Sequence, residues 1–276
     1  MSANLEFQSV KEWHSLRGFA NLLRKENRAW WRTRRWWMNA LLWSGGLGGL
    51  VSVMLFILPS MAEATGDPNV AAAGGPLAFG LEMGRTIFFE LGTMALAMGV
   101  IVLSQDLILE EKQSGLTQWL LAKPVARRAY LLAKLAASAI ATLVLMILLP
   151  ALLAYALLSL RSGGLFPLLP FLAGIGVMIV HTLFYLTLTL LLGTVFNSRP
   201  PILGLALGIA LGGNMLVGLI KPLAYVSPVM LAKVASMLAA RLLVPFELLW
   251  PPLIATALWS LAFIWMALVK FEKTEF

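Results

Sequence analysis

Side chains able to do covalent or metal chemistry are sparse in this sequence. It has two histidines, His14 and His181, and no cysteine. A zinc centre needs three or four nitrogen, sulfur or carboxylate ligands, so two histidines far apart in sequence exclude the usual sites. Disulfides, thiolate ligands and cysteine nucleophiles are excluded outright. No paired aspartates stand in an apolar segment, and the serines there have no base beside them, which argues against an intramembrane enzyme. The glycine-rich patches lack the lysine followed by serine or threonine that a phosphate-binding loop uses to hold nucleotide.

The segment with the most informative spacing runs Glu111, Lys112, Gln113, Ser114, Gly115, Leu116, and on through Trp119, Leu120, Leu121, Pro124 and Arg127 to Lys134. Glu110 and Glu111 end an apolar run, and Gly115 permits a sharp turn. Leu116, Trp119 and Leu120 then fall on one helical face. Pro124 breaks the chain before Arg127, Arg128 and Lys134 open the next apolar run. This is a cytoplasmic helix-turn-helix bearing an apolar ridge, which gains roughly 25 cal/mol per Å² by being covered. The cover is a partner protein or, alternatively, lipid. A short rigid helix between two spans is also a lever, since force on it moves both spans.

The elements that position this elbow follow from composition. Of the 276 residues, 60% are hydrophobic and 12% charged, against about a quarter charged in soluble domains. A span takes roughly 20 apolar residues, so the chain predicts an all-α integral membrane fold of six transmembrane helices. The spans are placed at about 36–58, 86–109, 135–160, 168–196, 202–220 and 248–269. Residues 1–35 form a cytoplasmic arm with an interfacial amphipathic helix, and residues 36–276 form the six-span domain. In the arm, Leu16, Phe19, Ala20 and Leu23 recur at helical spacing among Arg17, Arg24, Lys25 and Arg28. Trp30, Trp31, Trp36 and Trp37 follow and suit the headgroup level. Arg34 and Arg35, an apolar run and Ala62, Glu63 and Ala64 resemble a cleaved export signal, but the run is longer than a signal core.

The first span carries Gly45, Gly46, Gly48 and Gly49, which permit close helix approach. Residues 59–83 read as an irregular outer loop rich in proline and glycine. Residues 221–247 are too charged to cross and too apolar for an ordinary loop. Ser227 and Pro228 mark an N-cap and first helical residue, and Val229, Met230, Val234, Met237 and Leu238 mark an apolar face, so the segment is an outer re-entrant helix that Pro245 ends. With the N-terminus inside, sixteen lysines and arginines lie on the cytoplasmic side and five outside. That bias places both termini in the cytoplasm of a multi-pass cell-membrane protein. The formal net charge of +8 sits beside apolar segments, so its anionic partner is membrane lipid and not nucleic acid.

Within the spans, an ionisable residue is a functional candidate by default. His181 in the fourth span is expected to be neutral and to donate one hydrogen bond, and the alternative is a pathway role. Asn214 in the fifth either bonds a neighbouring helix or lines a pathway. Glu90 either pairs with Arg85 or faces a vestibule.

The elbow resembles that of the ABC-2 type permeases, the membrane subunits of type V ATP-binding-cassette exporters. Members show an acid, a glycine four residues on, a leucine-rich run, a proline nine residues after the glycine, an arginine three further, and a lysine opening the next span. Glu111, Gly115, Leu120, Leu121, Pro124, Arg127 and Lys134 fall in that register. Leu116 departs from the usual threonine and Ala133 from the usual glycine. The resemblance extends to the interfacial helix, the span count and the re-entrant segment. It implies that residues 111–134 hold a coupling helix docked on a separate cytoplasmic nucleotide-binding ATPase. It also implies no cofactor in this chain, ATP and Mg in the partner, a second permease copy in a homodimer joined through the first and fifth spans, and export. Largely apolar spans favour a hydrophobic or amphipathic cargo over a small ion. A channel or membrane scaffold with no ATPase is the alternative.

Overall fold

The computed structural model describes residue 16, residues 18–113 and residues 126–273. Among these residues every regular element is helical. In hydrocarbon a helix satisfies its own backbone, which is why apolar runs of this length adopt no other form.

The arm contributes α1 (Phe19–Trp31), entered through Gly18 at φ 88°. A turn at residues 32–34 separates it from α2 (Arg35–Ala64). A short α3 (Pro68–Ala72) is capped by Asp67, whose carboxylate accepts from the Asn69 N–H at 2.9 Å. The long α4 (Pro76–Glu110) comes next with a turn at Gln105, and the helical segment Asp106–Gln113 carries the chain past its end. Beyond residues 114–125 come α5 (Arg127–Ser162), α6 (Leu168–Val195) and α7 (Arg199–Leu219). Two 3-10 turns, Lys221–Tyr225 and Pro228–Met230, lead into α8 (Leu231–Ala239), and α9 (Phe246–Lys273) closes the fold.

Five of these helices, α2, α4, α5, α6 and α9, are long and apolar enough to cross a membrane among the described residues. The sequence predicts six spans. The fifth of them corresponds to α7, a single apolar helix of 21 residues.

The predicted irregular loop at residues 59–83 is instead mostly helical. Proline does not break α2 there, because residues 53–57 widen into a π-helical segment just ahead of Pro59. Proline lacks an N–H and its ring collides with the carbonyl four residues back, here that of Leu55. A π turn gives that carbonyl room. The same device precedes Pro150 in α5, where Thr142–Leu148 is π-helical. A third π segment, Ile87–Leu91, interrupts α4 without a proline and carries Glu90.

Helix α6 is the spine of the bundle. Its Thr182, Thr187, Thr189 and Thr194 donate to carbonyls one turn back at 2.7–3.0 Å, so these hydroxyls are paired inside an apolar core. Gly174 lets α6 touch two neighbours. A Cβ there would lie 2.8 Å from the Ala235 carbonyl of α8 and 2.7 Å from the Phe89 ring of α4. Of the glycines in the first span, Gly48 meets Leu153 of α5, whereas a Cβ at Gly45, Gly46 or Gly49 would find nothing within 4 Å.

The helix predicted within residues 221–247 forms, with three corrections. Its buried face is Leu231, Val234, Ala235 and Ala239, and Ser227 makes no capping bond. Nor does Pro245 end it. Arg241, at φ 60°, closes the helix: its N–H reaches the Leu238 carbonyl and the Leu242 N–H reaches that of Met237, both at 3.0 Å. This is a Schellman arrangement with arginine in the left-handed position usually held by glycine. The Pro245 carbonyl accepts instead from Leu248 and Leu249 at the start of α9.

Candidate functional site

Two places combine polar groups with position in the fold. One is the pair of arms that flank residues 114–125, and the other is a cavity beneath the hook formed by α8.

The entry arm is fixed to the C-terminal end of α6 and to the start of α7. The Lys112 ammonium donates to the carbonyls of Gly193 at 3.3 Å and Thr194 at 3.1 Å, and to the Asn197 side-chain oxygen at 3.2 Å. Those carbonyls belong to the last turn of α6, where the helix dipole is negative and attracts a cation. Burial, with the positive Lys270 nearby, pushes the Lys112 ammonium below its ordinary range. Gln113 adds a bond to the Asn197 carbonyl at 3.1 Å, and Asp106 pairs with Arg199 at 2.7 Å.

The exit arm is fixed to other elements. Arg127 donates to the Glu272 backbone carbonyl at 2.8 Å, and Arg128 grips the Glu272 carboxylate with two nitrogens, the second at 3.0 Å. A forked guanidinium on a carboxylate fixes orientation as well as distance. Lys134, one turn and a half further on, is only 4% exposed. It pairs with Glu26 of α1 at 3.6 Å and lies 5.4 Å from the centre of the Tyr130 ring. Tyr130 stacks on Phe271 of α9 with ring centres 5.5 Å apart. Leu22, Tyr130, Leu131 and Phe271 thus form one apolar cluster joining α1, α5 and α9. The predicted interfacial helix α1 is therefore seated on protein along its Leu22 face.

Of the predicted coupling residues, Arg127 and Lys134 are held as described, and Glu111 falls on the helical end of the entry arm. Gly115, Leu116, Trp119, Leu120 and Pro124 lie outside the described residues. Glu26, Asn197, Arg199 and Glu272 were not singled out by sequence reasoning. Each pairs across 85 or more positions of the chain, and no local spacing encodes such partners. The one available signal was that Glu26 and Glu272 are acids embedded in basic segments.

The cavity, of about 470 Å³, is bounded by α4, α6, α7 and the hook. Glu90 and Thr86 line it from α4, His181 and Tyr185 from α6, and Lys233 from α8, with apolar wall between them. His181 is 5% exposed, and its Nδ1 is buried without a hydrogen-bond partner. The single hydrogen bond that His181 is expected to donate finds no acceptor among the described residues, and the ring lines the cavity 5.1 Å from the Tyr185 ring. Asn214 falls on α7, and the reading of its side chain lies outside the described residues. No cluster of three or more metal-ligating side chains occurs among the described residues.

Residues 20–276 match the family described as ABC-2 family transporter protein. The chain belongs to that family. It is a multi-pass ABC-2 membrane permease, and the matched region is a transport domain rather than a catalytic one. No curated protein matches the chain.

Proposed function

We propose that this ABC-2 protein is the permease subunit of an ATP-driven exporter, moved by a separate cytoplasmic ATPase that docks on residues 114–125. The observation that carries the reading is the double anchoring of that segment. Its entry arm is tied to α6 and α7 through Lys112 and Asp106, and its exit arm to α9 and α1 through Arg128 and Lys134. A push on the segment therefore reaches four helices besides the two it joins. ATP and Mg bind the partner, and a change in its docking cleft biases the two arms between arrangements.

Two permease copies complete the transporter, joined through α2 and α7 in the membrane. The uncovered glycines Gly45, Gly46 and Gly49 support α2 as that face, since small residues let backbones approach in lipid. Both termini are cytoplasmic, and α7 is the fifth of six spans.

Affinity purification in mild detergent tests the reading. A nucleotide-binding subunit is expected to remain with the wild-type chain and to be lost from the double variant Trp119→Glu, Leu120→Glu. Purified chain that conducts ions alone, with no ATPase retained by wild type, would overturn it in favour of a channel.

A further inference from the structure

We propose that the cavity under the outer hook binds an amphiphile whose head carries both an ammonium and a phosphate-type anion. The proposal deepens the transporter reading by naming the cargo class at this site.

Three observations converge on that chemistry. Glu90 and Lys233 line the same cavity from different elements, one on the π segment of α4 and one on the hook. Neither makes a hydrogen bond or an ion pair with a described residue, although the Glu90 charge reaches Arg85 along α4. The site thus offers an anion and a cation to a ligand holding the opposite pair. His181 is the second observation. Its ring lines the same space, and its Nδ1 is buried with no hydrogen-bond partner, which in a membrane interior is costly. An ester carbonyl or hydroxyl of a ligand would pair with the imidazole whichever tautomer it holds.

The third is the wall. Ile87, Leu91, Met94 and Met230 make most of the lining apolar, which suits the start of a hydrocarbon tail and repels a purely polar solute. A volume of about 470 Å³ accommodates a head and the first carbons of a tail, within the range of small-molecule sites. Lys233 is exposed and marks the mouth, so longer chains would leave past the hook.

Calorimetric titration of the purified full chain in a neutral maltoside tests this. The probes are dihexanoyl phosphatidylethanolamine, dihexanoyl phosphatidic acid, hexylammonium and tail-free phosphoethanolamine. The first is expected to bind saturably and about tenfold or more tighter than the other three. Lys233→Gln and Glu90→Gln should each remove that preference, and His181→Phe should weaken binding of the same probe. Equal affinity for all four probes, tight binding of the tail-free head, or unchanged selectivity in both charge variants would overturn the proposal. Should Glu90→Gln or His181→Phe fail to purify as a single species, Lys233→Gln decides alone, because its side chain is exposed. ATPase retention by the elbow is read separately, so loss of the one result leaves the other standing.

Discussion

At Lys134 a single ammonium is taken out of water where α5 begins, and Glu26 lies 3.6 Å away to meet it. Removing one member of a buried pair leaves the other charge uncompensated, which costs about 3–5 kcal/mol. Glu26 also pairs with Lys25 at 3.5 Å, so Lys134→Met leaves the carboxylate partly compensated and is expected to destabilise the protein by less than that and to loosen α1 from α5. Lys134→Met combined with Glu26→Gln should recover part of the loss, because no buried charge remains at this place. Thermal unfolding in detergent measures both. Gly174 gives a second expectation at this scale. Any side chain there collides with the Ala235 carbonyl and the Phe89 ring, and a carbonyl cannot swing aside as a flexible side chain can. Gly174→Val should separate the hook from α6 and lower the unfolding midpoint, whereas Gly45→Val, with nothing within 4 Å, should leave the monomer's midpoint unchanged.

Elements were legible in the sequence to the extent that one local rule governed them. The apolar runs and the amphipathic α1 follow from composition and spacing, and those helices formed where expected. The segment from Pro59 to Met83 did not follow, because proline and glycine there were read as breakers. The π segment at Val53–Ile57 absorbs Pro59, and Gly80 in α4 serves close packing, with its Cβ position only 2.9 Å from the Leu55 carbonyl. The end of the hook was misplaced for a related reason: arginine at φ 60° is not a helix-stop signal in sequence. Holding a residue with a Cβ in the left-handed region costs about 1–2 kcal/mol. Arg241→Gly is thus expected to raise the unfolding midpoint slightly, and Arg241→Val to lower it. The arms of the elbow make a stronger claim about elements. If the Arg128–Glu272 pair transmits movement to α9, then Glu272→Arg should retain the ATPase partner yet uncouple its hydrolysis from transport. The reversed pair, Arg128→Glu with Glu272→Arg, should restore coupling. ATPase activity against vesicle transport, measured on the reconstituted complex, separates the two effects, and parallel loss of partner binding would assign the pair to docking alone.

For the whole molecule, charge asymmetry and the location of the two sites make one connected expectation. Sixteen of the 21 lysines and arginines fall on the side proposed as cytoplasmic, and that side also holds both arms of the elbow. The cavity lies toward the opposite end, under the hook between α7 and α9. Force applied inside must then act on a site some distance away, and α6 is the element that joins them: its last turn binds Lys112, and its middle carries His181. Because the chain has no cysteine, single introduced thiols report orientation without background. Cysteine at Lys233 and at Arg161 is expected to react with a membrane-impermeant maleimide from outside intact cells. Cysteine at Lys270 or Arg32 should react only after the membrane is opened. Reaction of the first pair from the cytoplasmic side would invert the topology and place the elbow outside, where no nucleotide-hydrolysing partner could reach it. Protection of Ala232→Cys, which lines the cavity, by dihexanoyl phosphatidylethanolamine, with Arg161→Cys unaffected, would in addition locate that ligand under the hook.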